Sequence, residues 1–299
     1  MHNKVFKRLM QFEGKTYWEQ IDMVCDELKK AGFIEKRVKC KKRSENIYYY
    51  KDDCDMVLAV INLPDRDQLI RTKDKKVWRV GDGLKQVVVI DKSVFNSLME
   101  NRKKLSLKVR SDTLNEVVTD ATGKRYVAIV TNSGNECLHQ YVMGYPYVHK
   151  DAQIDHLSHY MGICTKDFLR VCSPQQNRCN MACYSKIDRE NKQFIISCTQ
   201  MDSAQRLAYI MKGYSFKNNR MHSPSFNTYE EMHQALDEFE NSYLGKYRYS
   251  PLYDFYDTFY AFVAWKMLGW GTETEITEYN RDYIMRNNPE VADYYRLGA

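Results

Sequence analysis

Hydrophobic positions along the first third of the chain follow two different periods. In YWEQIDMVCDELKKAG, residues 17–32, the apolar Ile21, Val24, Cys25 and Leu28 fall at helical spacing and Gly32 supplies a C-terminal stop, which predicts an amphipathic helix. IYYYKDDCDMVLAVINL and KQVVVID instead cluster β-branched and aromatic residues, which predicts strands, and SVFNSLMENRKK predicts a second helix. These elements predict an α/β module over residues 1–104. No recognition-helix pattern stands out in it, so a generic small domain is preferred to a winged-helix DNA reader, and the role of the module stays open.

Further along, KRYVAIVTNSGNECLHQYVMG has two apolar runs separated by Asn132-Ser133-Gly134-Asn135, a composition that suits a hairpin turn. The stretch IDHLSHYMGICTKDFLRVCSPQQN then reads as strand, loop, strand and helix. Strand alternation in its middle would send Leu169 and Val171 into a core and Arg170 and Cys172 to the other face. Ser173-Pro174-Gln175-Gln176 is a helix start, with Ser as N-cap, Pro at the first helical position and Gln176 closing a capping box. The helix is expected to run from Pro174 to about Tyr184, with Asn177 in its first turn.

KQFIISCTQ and AYIMKGYSF are expected as short strands, and FNTYEEMHQALDEFENSYLG as a helix capped by Thr228 and Glu231, with Met232, Ala235, Leu236 and Phe239 on one face. That combination predicts a small sheet backed by a helix. PLYDFYDTFYAFVAWKMLGW predicts a strongly apolar helix that must bury itself against this chain or another.

Composition narrows the class. At 43% hydrophobic residues, a chain of 299 can build two or three real cores. The densest apolar run, Phe259 to Trp270, is short and contains Lys266, so no membrane span is expected. MHNKVFKRLMQFEGK has no apolar signal region, so a cytoplasmic location is expected, and the nine irregularly spaced cysteines read as reduced thiols. The net charge of +6 is uneven: residues 229–299 hold 13 acids and 6 bases, a balance of −7, so residues 1–228 carry +13. The basic part is where a polyanion would sit, and the acidic aromatic tail reads as a packing, homo-oligomer or protein-partner surface.

The chemistry concentrates where Asp155-His156 ends one strand and Asn177 opens the helix after the next. With His139 in CLHQYVMGYP and the spacing from Leu169-Arg170-Val171-Cys172 to Gln176-Asn177, this arrangement resembles the HNH endonuclease family (ββα-metal, or His-Me finger), especially its phage and homing type. The resemblance covers residues 124–180, about a fifth of the chain. It implies an α+β architecture with a central ββα-metal module at 105–188. That module is flanked by the N-terminal module, a sheet-plus-helix module at 189–245 loosely similar to AP2-like DNA-binding modules, and a helical tail at 246–299.

The resemblance also assigns roles. His156 would be the general base, and Asp155 and Asn177 would hold one divalent ion, Mg²⁺ or Mn²⁺. Arg170 would contact a flanking phosphate of double-stranded DNA, and His139 would support the site as scaffold. One position departs from the pattern: thirteen residues after Asp155 the family carries its middle Asn, and this chain has Phe168. A phenyl ring cannot make the hydrogen bonds with which that Asn braces the histidine loop, and alternation would turn the neighbouring Asp167 away. Cys172, Cys179 and Cys183 lack the paired Cys-x-x-Cys spacing of a structural zinc site and read as small buried residues. The expectation is a metal-dependent DNA endonuclease or nickase; the alternative is a DNA-binding protein with a degenerate HNH site. A protein-interaction factor using the apolar C-terminal helix is a third reading.

Overall fold

In the computed structural model, the described residues are 4–39, 45–62, 69–71, 77–79, 85–102, 104–109, 126–132, 134–144, 152–179, 185–198, 201–243 and 250–287. The protein is a mixed α+β chain with several separate sheets. Its contacts form two compact units. One comprises Met1–His149, His156–Arg170 and Tyr253–Asn280; the other comprises Lys150–Asp155, Val171–Leu252 and Arg281–Ala299.

The first unit is organised by a five-stranded sheet in the order Ile34–Lys39, Glu45–Tyr50, Met56–Asn62, Lys85–Asp91, Ile163–Cys164. The first four strands run antiparallel, and Ile163–Cys164 joins parallel to the last of them. The runs VLAVI and VVVI are buried on both sides, which is why they read as unbroken apolar stretches. Leu58, Val60, Val87 and Val89 belong to a core completed by the helices Tyr17–Lys30 and Phe259–Lys266. On the sheet's other side packs the helix Lys92–Glu100, whose Phe95 ring lies 5.4 Å from that of Tyr48.

The helix Tyr17–Lys30 forms as its periodicity predicts. Thr16 and Glu19 close a capping box, Ile21, Val24, Cys25 and Leu28 are buried, and Gly32 takes a φ of +84° after the helix end. The apolar C-terminal stretch buries itself against this chain. Phe259 through Ala264 are all buried, and Phe12 stacks on Tyr260 at 4.8 Å. Each such side chain withdrawn from water contributes about 1.5–3 kcal/mol. The helix Glu273–Asn287 is tied on by Thr258 Oγ1 donating to Asn280 Oδ1 at 2.9 Å. Among the described residues no helix is long and apolar enough to cross a membrane.

The second unit contains an antiparallel sheet ordered Ser185–Asp188, Gln193–Ser197, Arg220–His222, Ser215–Lys217. The helix Tyr229–Tyr243 lays Met232, Leu236 and Phe239 on Phe194, Ile196 and Met221. One expected strand is corrected: Ala208, Tyr209 and Ile210 lie in the helix Ser203–Ile210, and only Ser215–Lys217 of that stretch is extended. The reason is a capping box between Asp202 and Gln205, which starts a helix that Gly213, at φ +87°, turns out of.

The segment after His156 is fastened to the central sheet. Val89 N donates to Gly162 O at 2.7 Å, Lys166 N donates to Asp91 Oδ2 at 3.1 Å, and the hydroxyls of Tyr160 and Tyr17 share a hydrogen bond of 2.7 Å. Gly162 makes this approach possible, because a Cβ there would lie 2.6 Å from the Val87 carbonyl oxygen. Gly162→Ala is therefore expected to destabilise the protein by about 1–3 kcal/mol, read as a lower urea midpoint. An unchanged midpoint would show that the backbone is not closely held at this point.

Candidate functional site

The hairpin expected upstream of the site forms from Val127–Thr131 and Gly134–Cys137, antiparallel, with Gly134 at φ +139°. It leads into the helix Leu138–Val142, which carries His139. The strand Gln153–His156 follows and pairs with Leu169–Cys172. Leu157 N donates to Phe168 O at 3.0 Å, and the Cys172 thiol donates to Gln153 O at 3.7 Å, so the two strands run in opposite directions.

Ser173 caps the next helix as predicted: Gln176 N donates to Ser173 Oγ at 3.2 Å, and Ser173 N donates to Gln176 Oε1 at 2.8 Å. The described helix is Pro174–Cys179. Its expected continuation to Tyr184, together with Cys183, His149 and the side chain of Cys179, lies outside the described residues. The return strand does not alternate as expected, since Val171 is exposed while Leu169 and Cys172 are buried. The inward turn of Cys172 follows from its thiol bond to the Gln153 carbonyl. Arg170 is half-buried.

Asn177 Nδ2 donates to Gln153 Oε1 at 2.8 Å. Gln153 precedes Asp155 by two residues in one strand, so the two share a strand face, and Asn177 is held against that face. Gln153 was not singled out in the sequence, although its i−2 relation to Asp155 is a usable signal. Asp155 is itself 5% exposed.

His156, the next residue, takes the opposite face. It is 7% exposed and sits beside His139 at 5.0 Å and Tyr126 at 6.0 Å between ring centroids, with Cys164 Sγ 3.8 Å from Nε2. His139 thus stands next to His156, whereas nothing in the sequence pointed to Tyr126 or Cys164. Burial drives the His156 imidazole down to about 3, with the neighbouring His139 and His159 adding to the effect. It is neutral at pH 7. His159, at φ +56°, donates its backbone N–H to His156 O at 3.1 Å and turns the chain sharply after the strand.

Phe168 lies in a 3₁₀ turn, Lys166–Phe168, not in the strand, so the alternation argument for Asp167 does not apply; Asp167 is simply exposed. The Phe168 ring is buried edge-on against Phe262 at 4.9 Å and Trp265 at 6.1 Å, and its carbonyl makes the bond to Leu157 N. The backbone therefore braces the residue after His156, while the side chain serves the core. Among the described residues no group of three or more His, Cys, Asp and Glu side chains converges as a metal site. No protein-family model, curated protein or solved structure matches the chain.

Two outcomes follow. A folded-state imidazole far below its unfolded value near 6.5 means that, between about pH 6.5 and 3, the unfolded chain binds more protons. Stability is then fully present above that window and falls on acidification, by at most about 1.4 kcal/mol per pH unit for this one group. Urea unfolding of His156→Gln should lose that share of the slope; equal slopes would contradict it. Phe168→Asn should cost about 3 kcal/mol or more, because an amide would replace a ring in an aromatic core. A variant as stable as wild type by the same measurement would refute this.

Proposed function

We propose that residues 153–179 form an HNH-type site that hydrolyses DNA phosphodiester bonds with one divalent cation. The observation that carries this reading is the local order. A strand ends in Asp155-His156, a loop closes through the Leu157–Phe168 backbone bond, a return strand follows, and a capped helix brings Asn177 to the strand face of Asp155. The donor set suits a hard cation. Asp155 offers a carboxylate, and Asn177 has its amide nitrogen committed to Gln153, which leaves its amide oxygen as the coordinating atom.

Asp155 and Asn177 would hold Mg²⁺ or Mn²⁺, which when bound supplies Lewis-acid stabilisation of charge on the leaving 3′ oxygen. His156 is in the neutral form that accepts a proton from the attacking water. Arg170 would steady a flanking phosphate. The excess of 13 positive charges over residues 1–228 supports a polyanionic partner.

A second reading, DNA binding with a degenerate site and without efficient cleavage, is favoured by two features: His156 is enclosed, and Phe168 faces the core where the family has a bracing amide. Supercoiled plasmid incubated with either metal separates the two. Wild type is expected to yield nicked or linear DNA, and His156→Ala to lower the rate by about 10²-fold or more while leaving gel-shift affinity unchanged. Asp155→Ala and Asn177→Ala should raise the cation concentration needed for cleavage. Wild-type protein that retards the plasmid and leaves it supercoiled supports the second reading. Protein that neither cuts nor retards it removes both.

A further inference from the structure

The first unit contains a cavity of about 420 Å³ at the edge of the 1–104 module whose role the sequence left open. It lies between the ends of the strands Ile34–Lys39 and Val127–Thr131 and the turn that follows the helix Lys92–Glu100, all within the first unit. Its lining includes three cations, Lys39, Arg102 and Lys104, and no acid. All three are exposed, and among the described residues none of them forms an ion pair. Glu45, the cross-strand neighbour of Lys39, is instead engaged by Arg37 at 3.4 Å. The rest of the lining is largely apolar, with Val38, Met99, Leu105 and Val130 half-buried.

The position of the cations is not explained by the helix alone. A positive charge after a helix C-terminus is favoured by the helix dipole, which accounts for one of Arg102 and Lys104. Lys39 comes from a different element, the end of the strand Ile34–Lys39, and three like charges around one concavity repel one another unless an anion offsets them. The volume falls within the range of small-ligand sites, about 300–1,000 Å³, and the layout pairs exposed charge with apolar lining.

We propose that this cavity binds a nucleoside phosphate, with Lys39, Arg102 and Lys104 on the phosphate and the sugar or base against the half-buried apolar lining of Val38, Met99, Leu105 and Val130. Both a free nucleotide and one nucleotide unit of a single strand carry this chemistry. The site is separate from Asp155 and His156 and does not depend on cleavage, so its test is run in EDTA.

Calorimetric titration of the full chain compares a nucleoside 5′-monophosphate, the same nucleoside without phosphate, and a short single-stranded oligonucleotide. The phosphorylated ligands are expected to bind at least about 10-fold more tightly than the nucleoside, and Arg102→Ala and Lys39→Ala each to weaken them by about 10-fold, as loss of a charged hydrogen bond does. Arg102→Lys should retain most of the affinity, and because these side chains are exposed the variants should melt with wild type. Binding of the monophosphate identifies a free nucleotide as the source; binding of the oligonucleotide alone identifies the strand. No binding of either, equal binding of the nucleoside, or affinities untouched by the substitutions would overturn the proposal.

Discussion

Two adjacent strands, Met56–Asn62 and Lys85–Asp91, are apolar on both faces, and the rest of the first unit is arranged to cover them. A sheet buried on both sides needs a layer above and a layer below, because uncovered Val and Ile would forfeit the burial that stabilises the fold. One layer comes from the local helix Lys92–Glu100. The other is assembled from distant parts of the sequence: Tyr17–Lys30 from the start, Phe259–Lys266 from near the end, and Tyr160, Ile163 and Phe168 from the middle. The last group is the loop that follows His156, so the same packing that closes the core fixes where that loop runs.

The candidate site inherits its character from this arrangement. Neighbouring residues of a strand face opposite ways, so Asp155 shares a face with Gln153 and Asn177 while His156 turns to His139 and Tyr126. An imidazole in that setting is neutral because charging it would cost solvation, not because a partner removes its proton. Phe168 illustrates the same trade. The backbone carbonyl of that residue does structural work beside the histidine whatever its side chain is, which allows the side chain to be recruited by Phe262 and Trp265.

Elements with a local physical cause were legible in the sequence. The Tyr17–Lys30 helix, the Ser173 cap, the Gly134 turn and the apolar runs of the central sheet each rest on signals a few residues apart. The Ser203–Ile210 helix had such a signal in Asp202 and Gln205, but the aromatic and aliphatic residues after it suggested a strand. What could not be read were relations made by tertiary contact. Val171 outward and Cys172 inward, and Cys164 beside His156, depend on residues the fold brings together, and the 3₁₀ turn at Phe168 carries no hydrophobic period to announce it. Gln153 lies between these cases, since strand periodicity places it on the face of Asp155 but only the fold brings Asn177 to it.

The route of the chain through the first core also bears on synthesis. Phe6 and Phe12 are packed against Tyr279 and Tyr260, so these helical turns find their final neighbours only after roughly 250 to 270 further residues have been made. During translation the early sheet therefore waits with one side only partly covered, by Tyr17–Lys30, while the intervening sheet-plus-helix unit, whose contacts are short in sequence, is free to form. Nascent chains released before the final helices would carry a greasy, half-built layer, the kind of surface that chaperones hold and proteases find.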